Sequence, residues 1–164
     1  LFDVVNFDEN SSINTDEFKY MVNAVARRPI DSKIAVRVMK KCGATREAGV
    51  VVLTKEAFTH MIALGTRWSD GVDAAITKYG LPWHCNRLGA RGEYIFAPGA
   101  PRTGQEAADG GDFELEQYIH LRLLNDGILM TPFHNMALMS PATTAADVDA
   151  HTAAFRAMCA DLVG

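Results

Sequence analysis

The chain has 164 residues, of which 48% are hydrophobic and 22% are charged, and its net charge at neutral pH is −4. This length allows one sizeable apolar core, or one core with a small appended module. The sequence predicts no membrane span, because no apolar run approaches the ~20 residues that cross a bilayer. It also predicts no nucleic-acid partner, because the basic residues form no patch interleaved with aromatic residues.

The first residue bears on whether the sequence is part of a longer protein, and the cysteines bear on the cellular compartment. Residue 1 is Leu rather than Met, so we expect that the sequence can be a processed or partial form of a longer protein. Cys42, Cys85 and Cys159 are odd in number and lack a CxxC pattern, which indicates neither a disulfide framework nor a zinc site. Free thiols predict a reducing intracellular compartment, and the cytoplasm and an organelle matrix are both open.

Residues 1–45 are predicted to form an all-helical segment. After a polar loop, apolar residues recur at helical spacing until the Arg-Pro pair at residues 28 and 29. Asp31 can cap a further helix, which Gly43 would end. The small and polar residues 43–49 then mark a candidate boundary, so we predict domains at 1–45 and 50–164.

Residues 50–132 are predicted to alternate helices with short strands. Thr54 caps a helix that ends at Gly80, and residues 83–96 form an antiparallel pair of strands. Residues 97–112 are rich in Pro and Gly and are predicted to be a surface loop. A second helix runs from about residue 113 to Gly127, and residues 128–132 form a short buried strand.

The last part of the chain is predicted to be a strand followed by a helix. Residues 136–139 are apolar on both faces, which predicts that the strand is covered on both sides. Thr144 and Asp147 form a capping box for the last helix. The inner face of that helix is predicted to be Val148, His151, Phe155, Met158 and Leu162. The order of the elements predicts an α+β fold in which helices cover one face of a mostly antiparallel sheet.

The stretch NFDENSSINTDEF, residues 6–18, has the ligand spacing of a calcium loop. Such a loop supplies oxygen donors at its positions 1, 3, 5, 7, 9 and 12. The candidate metal ligands are Asn6, Asp8, Asn10, the carbonyl of Ser12, Asn14 and Glu17. The segment therefore resembles an EF-hand, although Ser11 stands where Gly normally allows the turn. A calcium site, a decayed site and an ordinary polar loop are all open interpretations.

Four stretches beyond residue 50 carry a more specific pattern: VLTKEAFTHMIALGTRWSDGVDAAITKYGLPW, RLGARGEYIF, APGAPRTGQEAA and YIHLRLLNDGILMTPFHNMALMSPATTAADVDAHTAAF. In these stretches the chain resembles the carboxy-terminal small domain of class III, fold-type I pyridoxal-phosphate (PLP) aminotransferases, and is closest to their glutamate-1-semialdehyde aminomutase-like members. The resemblance covers some 115 residues and implies an aminotransferase small domain at 50–164.

The resemblance also implies what this part of the chain lacks. In that family a large domain supplies the lysine that forms a Schiff base with the cofactor, the phosphate cup and the partner of the pyridinium nitrogen. Residues 50–164 contain only Lys55 and Lys78, both at predicted water-facing positions, and no catalytic residue is assigned. We therefore expect a large PLP-binding domain in the same or another chain, and a homodimer or larger assembly.

By the same resemblance, the loop at residues 131–135 faces the substrate through Thr131, His134 and Asn135. His134 can hydrogen-bond a substrate carboxylate or amine, and Asn135 can orient it. The alternative is that both side chains cap the backbone of their own loop. Arg87 and Arg91 can also hold a carboxylate, but alternation along a strand favours a solvent-exposed edge for them.

Two functions follow from these patterns. The first is the terminal part of a PLP-dependent aminotransferase or aminomutase that acts on a small amino acid or semialdehyde and is active only with a large domain. The second is a non-enzymatic calcium-binding or structural subunit of a larger assembly. A further possibility is that the two segments are parts of longer chains joined at residues 43–49.

Overall fold

A computed structural model of the chain describes residues 12–16, 19, 31, 33, 35–36, 39, 45–47, 50–130 and 135–164. The chain divides into two compact units. The first comprises Leu1–Met61 with Ser140–Ala142, and the second comprises Ile62–Met139 with Thr143–Gly164. Among the described residues, no helix is long and apolar enough to cross a membrane.

Three short strands of the first unit form an antiparallel sheet. They are β1 (Ser12–Ile13), β2 (Thr45–Glu47) and β3 (Val50–Thr54), in the order β1-β3-β2. Ile13 pairs with Leu53, and Thr45 pairs with Val52. The prediction of an all-helical segment over residues 1–45 is therefore wrong at residues 12, 13 and 45, and residues 46 and 47 of the predicted boundary also lie in a strand. The β-branched run of β3 supplies a strand with which both of these stretches can pair.

Helical backbone in the first unit begins at polar caps. The Asp31 side chain accepts a hydrogen bond from the Lys33 N–H at 2.7 Å, and the Asp31 carbonyl accepts one from the Ala35 N–H at 3.0 Å. Ala35 and Met39 are buried on one side of this helical turn. The predicted helix start at Asp31 is confirmed by these residues.

A 25-residue helix, α1 (Lys55–Tyr79), follows β3 directly. The Thr54 hydroxyl accepts a hydrogen bond from the Ala57 N–H at 3.2 Å and so caps the first turn. Gly80 ends the helix with a φ of 63°, a left-handed conformation that favours glycine. Both predicted ends of the helix are confirmed.

The second unit contains an antiparallel sheet made of β4 (His84–Leu88), β5 (Arg91–Ile95) and β6 (Met136–Leu138), in that order. Cys85 pairs with Tyr94 across the β4–β5 hairpin, and Gly92 pairs with Ala137 across β5–β6. Together with the helices of this unit, the sheet confirms the predicted α+β class and the antiparallel pair at residues 83–96.

Three further helices begin at side-chain caps: α2 (Gly104–Asp109) at Thr103, α3 (Phe113–Asn125) at Asp112 and α4 (Ala145–Val163) at Thr144. The Thr144–Asp147 capping box is present as predicted. The helix α2 lies inside residues 97–112, where the sequence predicted only a loop. A Thr cap followed by Gly, Gln, Glu and two Ala suffices for this short helix.

Aromatic side chains form the centre of the core in the second unit. Trp68, Tyr94 and Phe155 are almost fully buried, and the Tyr94 and Phe155 ring centroids lie 5.0 Å apart. Trp68 packs on the backbone of Gly92 so closely that a Cβ at Gly92 would lie 2.4 Å from Trp68 Cζ3. The helix α1 therefore covers the face of the sheet on which Gly92 and Ala137 lie.

Three details of the predicted core are wrong. Residues Ile128–Met130 form no strand, and the Leu129 side chain is 73% exposed. Leu138 of β6 is 62% exposed, so this strand is covered on the Ala137 face and not on both faces. Leu162 was expected on the inner face of α4 but is 36% exposed, because it lies in the last turn, beyond the buried run that ends at Cys159.

Candidate functional site

Asn135 is the described member of the loop that was predicted to face a substrate. Its carbonyl accepts a hydrogen bond from the Tyr94 N–H at 3.1 Å, which joins the end of the loop to β5. The residue is half-buried. Thr131 and His134 lie outside the described residues, so the predicted roles of this set stay predictions.

A cleft with a volume of about 530 Å³ lies beside β6. Three parts of the second unit line it: the stretch Asp126–Met130, the strand residues Met136–Met139 and the first two turns of α4. Trp68 of α1 completes the lining. The volume lies in the range of sites that take small organic molecules.

Trp68 and His151 line the cleft, and their nitrogen atoms are buried. Trp68 is 1% exposed and His151 is 4% exposed, and their ring centroids lie 5.4 Å apart. The indole Nε1 and both imidazole nitrogens are buried, and none has a hydrogen-bond partner among the described residues. Burial lowers the pKa of His151 to about 4, so the imidazole is neutral at physiological pH.

The carboxylates of the cleft are already engaged. Asp126 is paired with Arg122. Asp147 accepts hydrogen bonds from the N–H and the hydroxyl of Thr144, both at 2.8 Å, and these bonds hold the pKa of Asp147 below its ordinary value. Both acidic side chains therefore serve helix ends, Asp126 at the end of α3 and Asp147 at the start of α4.

The two arginines of the β4–β5 hairpin make local contacts. Arg87 donates a hydrogen bond to the Gly89 carbonyl at 3.0 Å, and Arg91 pairs with Glu93 at 2.6 Å. The Arg91 side chain is 48% exposed. These contacts favour the solvent-edge interpretation over a carboxylate clamp for both arginines.

The described residues do not fit PLP. Lys55 and Lys78 both lie on α1 and are exposed, and the Lys78 ammonium lies 5.0 Å from the ring centroid of Tyr79. Within the described part of the chain, no lysine or arginine lines the cleft. A Schiff base and a phosphate cup would therefore have to come from elsewhere.

Only Ser12 and Asn14 of the predicted metal ligands are described. Ser12 lies on β1, and the Asn14 carboxamide accepts a hydrogen bond from the Asp16 N–H at 2.9 Å. Asn6, Asp8, Asn10 and Glu17 lie outside the described residues. In the parts of the chain that the structure describes, no group of three or more His, Cys, Asp or Glu side chains could hold a metal ion.

Two of the three cysteines lie among the described residues. Cys159 is buried and Cys85 is half-buried, and both are free cysteines. Burial raises the pKa of each thiol to about 12, which keeps both protonated and unreactive. Cys42 lies outside the described residues.

We expect His151 to make folding stability depend on pH. Its folded pKa is lowered from the ordinary 6.5 to about 4, so the unfolded chain binds the proton more readily. The contribution of neutral His151 to the free energy of unfolding is therefore fully present above pH 6.5. It is lost as the pH falls towards 4, and about 2 kcal/mol is lost at pH 5. Urea unfolding at pH 7.5 and pH 5 measures the loss. It should shrink in His151→Phe and persist in the control His120→Phe; an equal loss in both variants would refute the assignment.

No protein-family model matches the chain, and no curated protein does. Among solved structures, a glutamate-1-semialdehyde aminomutase from Pseudomonas aeruginosa PAO1, in complex with PMP, is 45% identical over 68% of this chain and 24% of its own, with a TM-score of 0.65. A β-phenylalanine aminotransferase from Variovorax paradoxus is 25% identical over 66% of this chain and 25% of its own, with a TM-score of 0.60.

An ω-transaminase from Sphaerobacter thermophilus is 22% identical over 65% of this chain and 24% of its own, with a TM-score of 0.53, and is alike in fold alone. These three solved structures are thus two aminotransferases and an aminomutase. The chain spans about a quarter of their length.

Proposed function

We propose that residues 50–164 are the carboxy-terminal part of a PLP-dependent aminotransferase or aminomutase that acts on a small amino acid or semialdehyde. The observation that carries the proposal is the 45% identity with a glutamate-1-semialdehyde aminomutase over 68% of this chain, together with the shared fold. Since the described residues offer no site for PLP, the chemistry requires a large domain. That domain would lie in the same polypeptide or in a partner, within a homodimer or larger assembly.

In this proposal the chain supplies one wall of the substrate site. Thr131, His134 and Asn135 face the substrate, with His134 donating a hydrogen bond to its carboxylate and Asn135 orienting it. The bond between the Tyr94 N–H and the Asn135 carbonyl supports this role, because it fixes one end of the loop to a strand of the core. Residues held on rigid elements position substrates more accurately than free loops do.

The native protein, purified from its source, tests the proposal by its intact mass and visible spectrum. We expect a polypeptide, or a stable complex, several times larger than 164 residues, with the absorbance of a lysine–PLP Schiff base. Borohydride should reduce that absorbance and leave PLP attached to a lysine outside residues 50–164. A large native protein that stays colourless after addition of PLP would refute the proposal.

The substrate wall has a test of its own in the full-length holoenzyme. His134→Gln and Asn135→Ala should each raise the KM for the amino substrate about tenfold or more, because each removes a hydrogen bond to a charged group. Gln117→Ala, at an exposed position of α3, is the matched control and should leave KM unchanged. Unchanged KM values in all three variants would remove these residues from the substrate site without affecting the family assignment.

We propose calcium binding by residues 6–17 as a second candidate function. The ligands would be Asn6, Asp8, Asn10, the Ser12 carbonyl, Asn14 and Glu17. One observation favours it: the described end of the loop passes from β1 through Asn14 into helical backbone within three residues. Such a compact turn can bring alternate oxygen donors around one ion.

Calorimetric titration of the full chain with calcium tests this candidate. With only two carboxylates among the ligands, we expect a Kd of about 0.1–1 mM, at the weak end for such loops. Glu17→Gln should abolish the heat of binding, whereas Glu114→Gln, on the exposed side of α3, should not. The absence of binding heat at several millimolar calcium would leave residues 6–17 as a polar loop.

A further inference from the structure

The β4–β5–β6 sheet has a second face, opposite the one that α1 covers. Gly92, Tyr94 and Ala137 lie on the α1 side and are buried. Side chains alternate between the two faces of a strand, so the residues next to these point the other way. They form two cross-strand rows on an open face, Leu88–Arg91–Leu138 and Asn86–Glu93–Met136. None of these six residues is buried.

Exposed leucines lie on both sides of Arg91 on the open face. Arg91 pairs with Leu88 across β4–β5 and with Leu138 across β5–β6, so the three side chains are direct neighbours. Leu88 is 75% exposed and Leu138 is 62% exposed. Leu129 is 73% exposed and lines the same cleft as Leu138, so a third exposed leucine lies at the margin of the face. Single exposed leucines are common, but neighbouring ones mark an interaction surface.

The polar side chains of this face are bonded to one another. Arg91 is paired with Glu93 at 2.6 Å, and the His84 Nε2 atom is hydrogen-bonded to the Asn86 Oδ1 atom at 3.1 Å. The water-facing side of an antiparallel sheet is normally polar along its whole length. Here the central ion pair is neutral as a unit and the residues on both sides of it are apolar. The face is therefore suited to an apolar protein surface and not to a charged ligand.

The length of the related aminomutase indicates what covers the open face. That protein is 45% identical to this chain, yet the match covers only 24% of its own length. About three quarters of such a protein therefore lies outside the matched part. In the proposed function, this remainder contains the large PLP-binding domain. An apolar surface on the smaller part of a two-domain protein is normally covered by the other domain.

We propose that the open face of the sheet is the surface on which the large domain packs, with Leu88 and Leu138 as its apolar anchors. This inference rests on the proposed function and adds to it the contact surface between the two domains. The region of the large domain that meets this face is apolar, because a charged group there would lose its hydration against the leucines without gaining a free partner.

Cysteine labelling of the full-length holoenzyme tests the proposed contact. Leu88→Cys and Leu138→Cys are each treated with N-ethylmaleimide, and labelling is measured at each position by peptide mass spectrometry. Ala74→Cys is the matched control, because Ala74 lies on the exposed side of α1 among Asp73, Thr77 and Lys78. We expect both leucine positions to react about tenfold or more slowly than position 74, since a covered thiol reacts only when the contact opens.

Photo-crosslinking identifies what covers the face. With p-benzoylphenylalanine in place of Leu138, we expect crosslinks to peptides from outside residues 1–164. Crosslinks to residues 1–49, or to residues 50–164 of a second copy, would overturn the inference, as would labelling of both leucine positions as fast as position 74. If the crosslinking variant does not fold, the labelling rates still decide.

The visible spectrum of the same preparation separates this inference from the proposed function. A holoenzyme that has the absorbance of a lysine–PLP Schiff base but reacts freely at positions 88 and 138 would contradict the contact surface alone. A full-length protein that does not bind PLP would contradict the proposed function, and the contact surface with it.

Discussion

Replacing Phe155 by Ala should remove about 4 kcal/mol from the free energy of unfolding. Phe155 has no solvent exposure, and its ring lies 5.0 Å from Tyr94 and 6.4 Å from Trp83, measured between centroids. Truncating a buried Phe removes its transfer free energy and leaves a cavity, for a total cost of about 3–5 kcal/mol. Neighbouring rings are too large to refill the space, so little of the cost is recovered.

Urea unfolding followed by circular dichroism measures this change. Phe113→Ala is the matched control, because Phe113 is 60% exposed at the start of α3 and its loss should cost less than about 1 kcal/mol. Similar midpoints for the two variants would mean that Phe155 is not part of a closely packed core. The comparison uses one residue type at two depths and therefore isolates burial.

Gly92→Ala is expected to be the second large loss, of about 3 kcal/mol. In a strand, exchange of Gly for Ala normally stabilises by roughly 0.5–1 kcal/mol, since Ala loses less backbone entropy on folding. At Gly92 the added Cβ would lie 2.4 Å from Cζ3 and 2.5 Å from Cε3 of Trp68. Trp68 is 1% exposed and cannot move aside without disturbing α1 or the sheet.

The control for this variant is Gly99→Ala, because no atom lies within 4 Å of a Cβ built at Gly99. Its stability should equal or slightly exceed that of the unchanged protein. Tryptophan fluorescence should also change in Gly92→Ala, since the added methyl group displaces the Trp68 ring. A Gly92→Ala protein of unchanged stability and spectrum would contradict the close packing of α1 on β5.

The helices could be predicted well from the sequence because their ends depend on local chemistry. Thr54 and Gly80 define α1, and Thr144 with Asp147 defines the start of α4. Each of these residues acts on backbone groups within a few positions along the chain. The hairpin β4–β5 could be predicted for the same reason, since Gly89, with a φ of 60°, lies in its turn.

Strand pairing between distant parts of the chain could not be predicted in this way. The run Val50–Thr54 has the composition of a strand and pairs with the adjacent stretch 45–47, but its other partner, at residues 12–13, lies far from it in the sequence and is set by tertiary contacts. Residues Ile128–Met130 have equally apolar composition and form no strand. Composition thus indicates which residues can form strands, whereas pairing decides which of them do.

For the candidate sites too, the sequence predicted the features that depend on local pattern and missed those that depend on tertiary contacts. Sequence placed His151 on the inner face of α4, and it is buried there. Its nitrogens have no hydrogen-bond partner among the described residues, and its ring packs 5.4 Å from that of Trp68, which lies 83 positions earlier on another helix. The signal in the sequence was a lone His among apolar residues at helical spacing. Only the packing of the folded chain shows whether the nitrogens of such a His have hydrogen-bond partners.

The late position of β6 in the chain has a consequence for biosynthesis. Arg91 and Leu138 pair across β5–β6, although 46 residues separate them in the sequence. The hairpin β4–β5 is complete long before β6 leaves the ribosome, so the free edge of β5 is exposed to other nascent chains during that interval. Closing a loop of this length is slow compared with forming the hairpin or the capped helices. Slowed translation between residues 96 and 136 would therefore be expected to increase aggregation, which a solubility assay with rare codons in that interval measures.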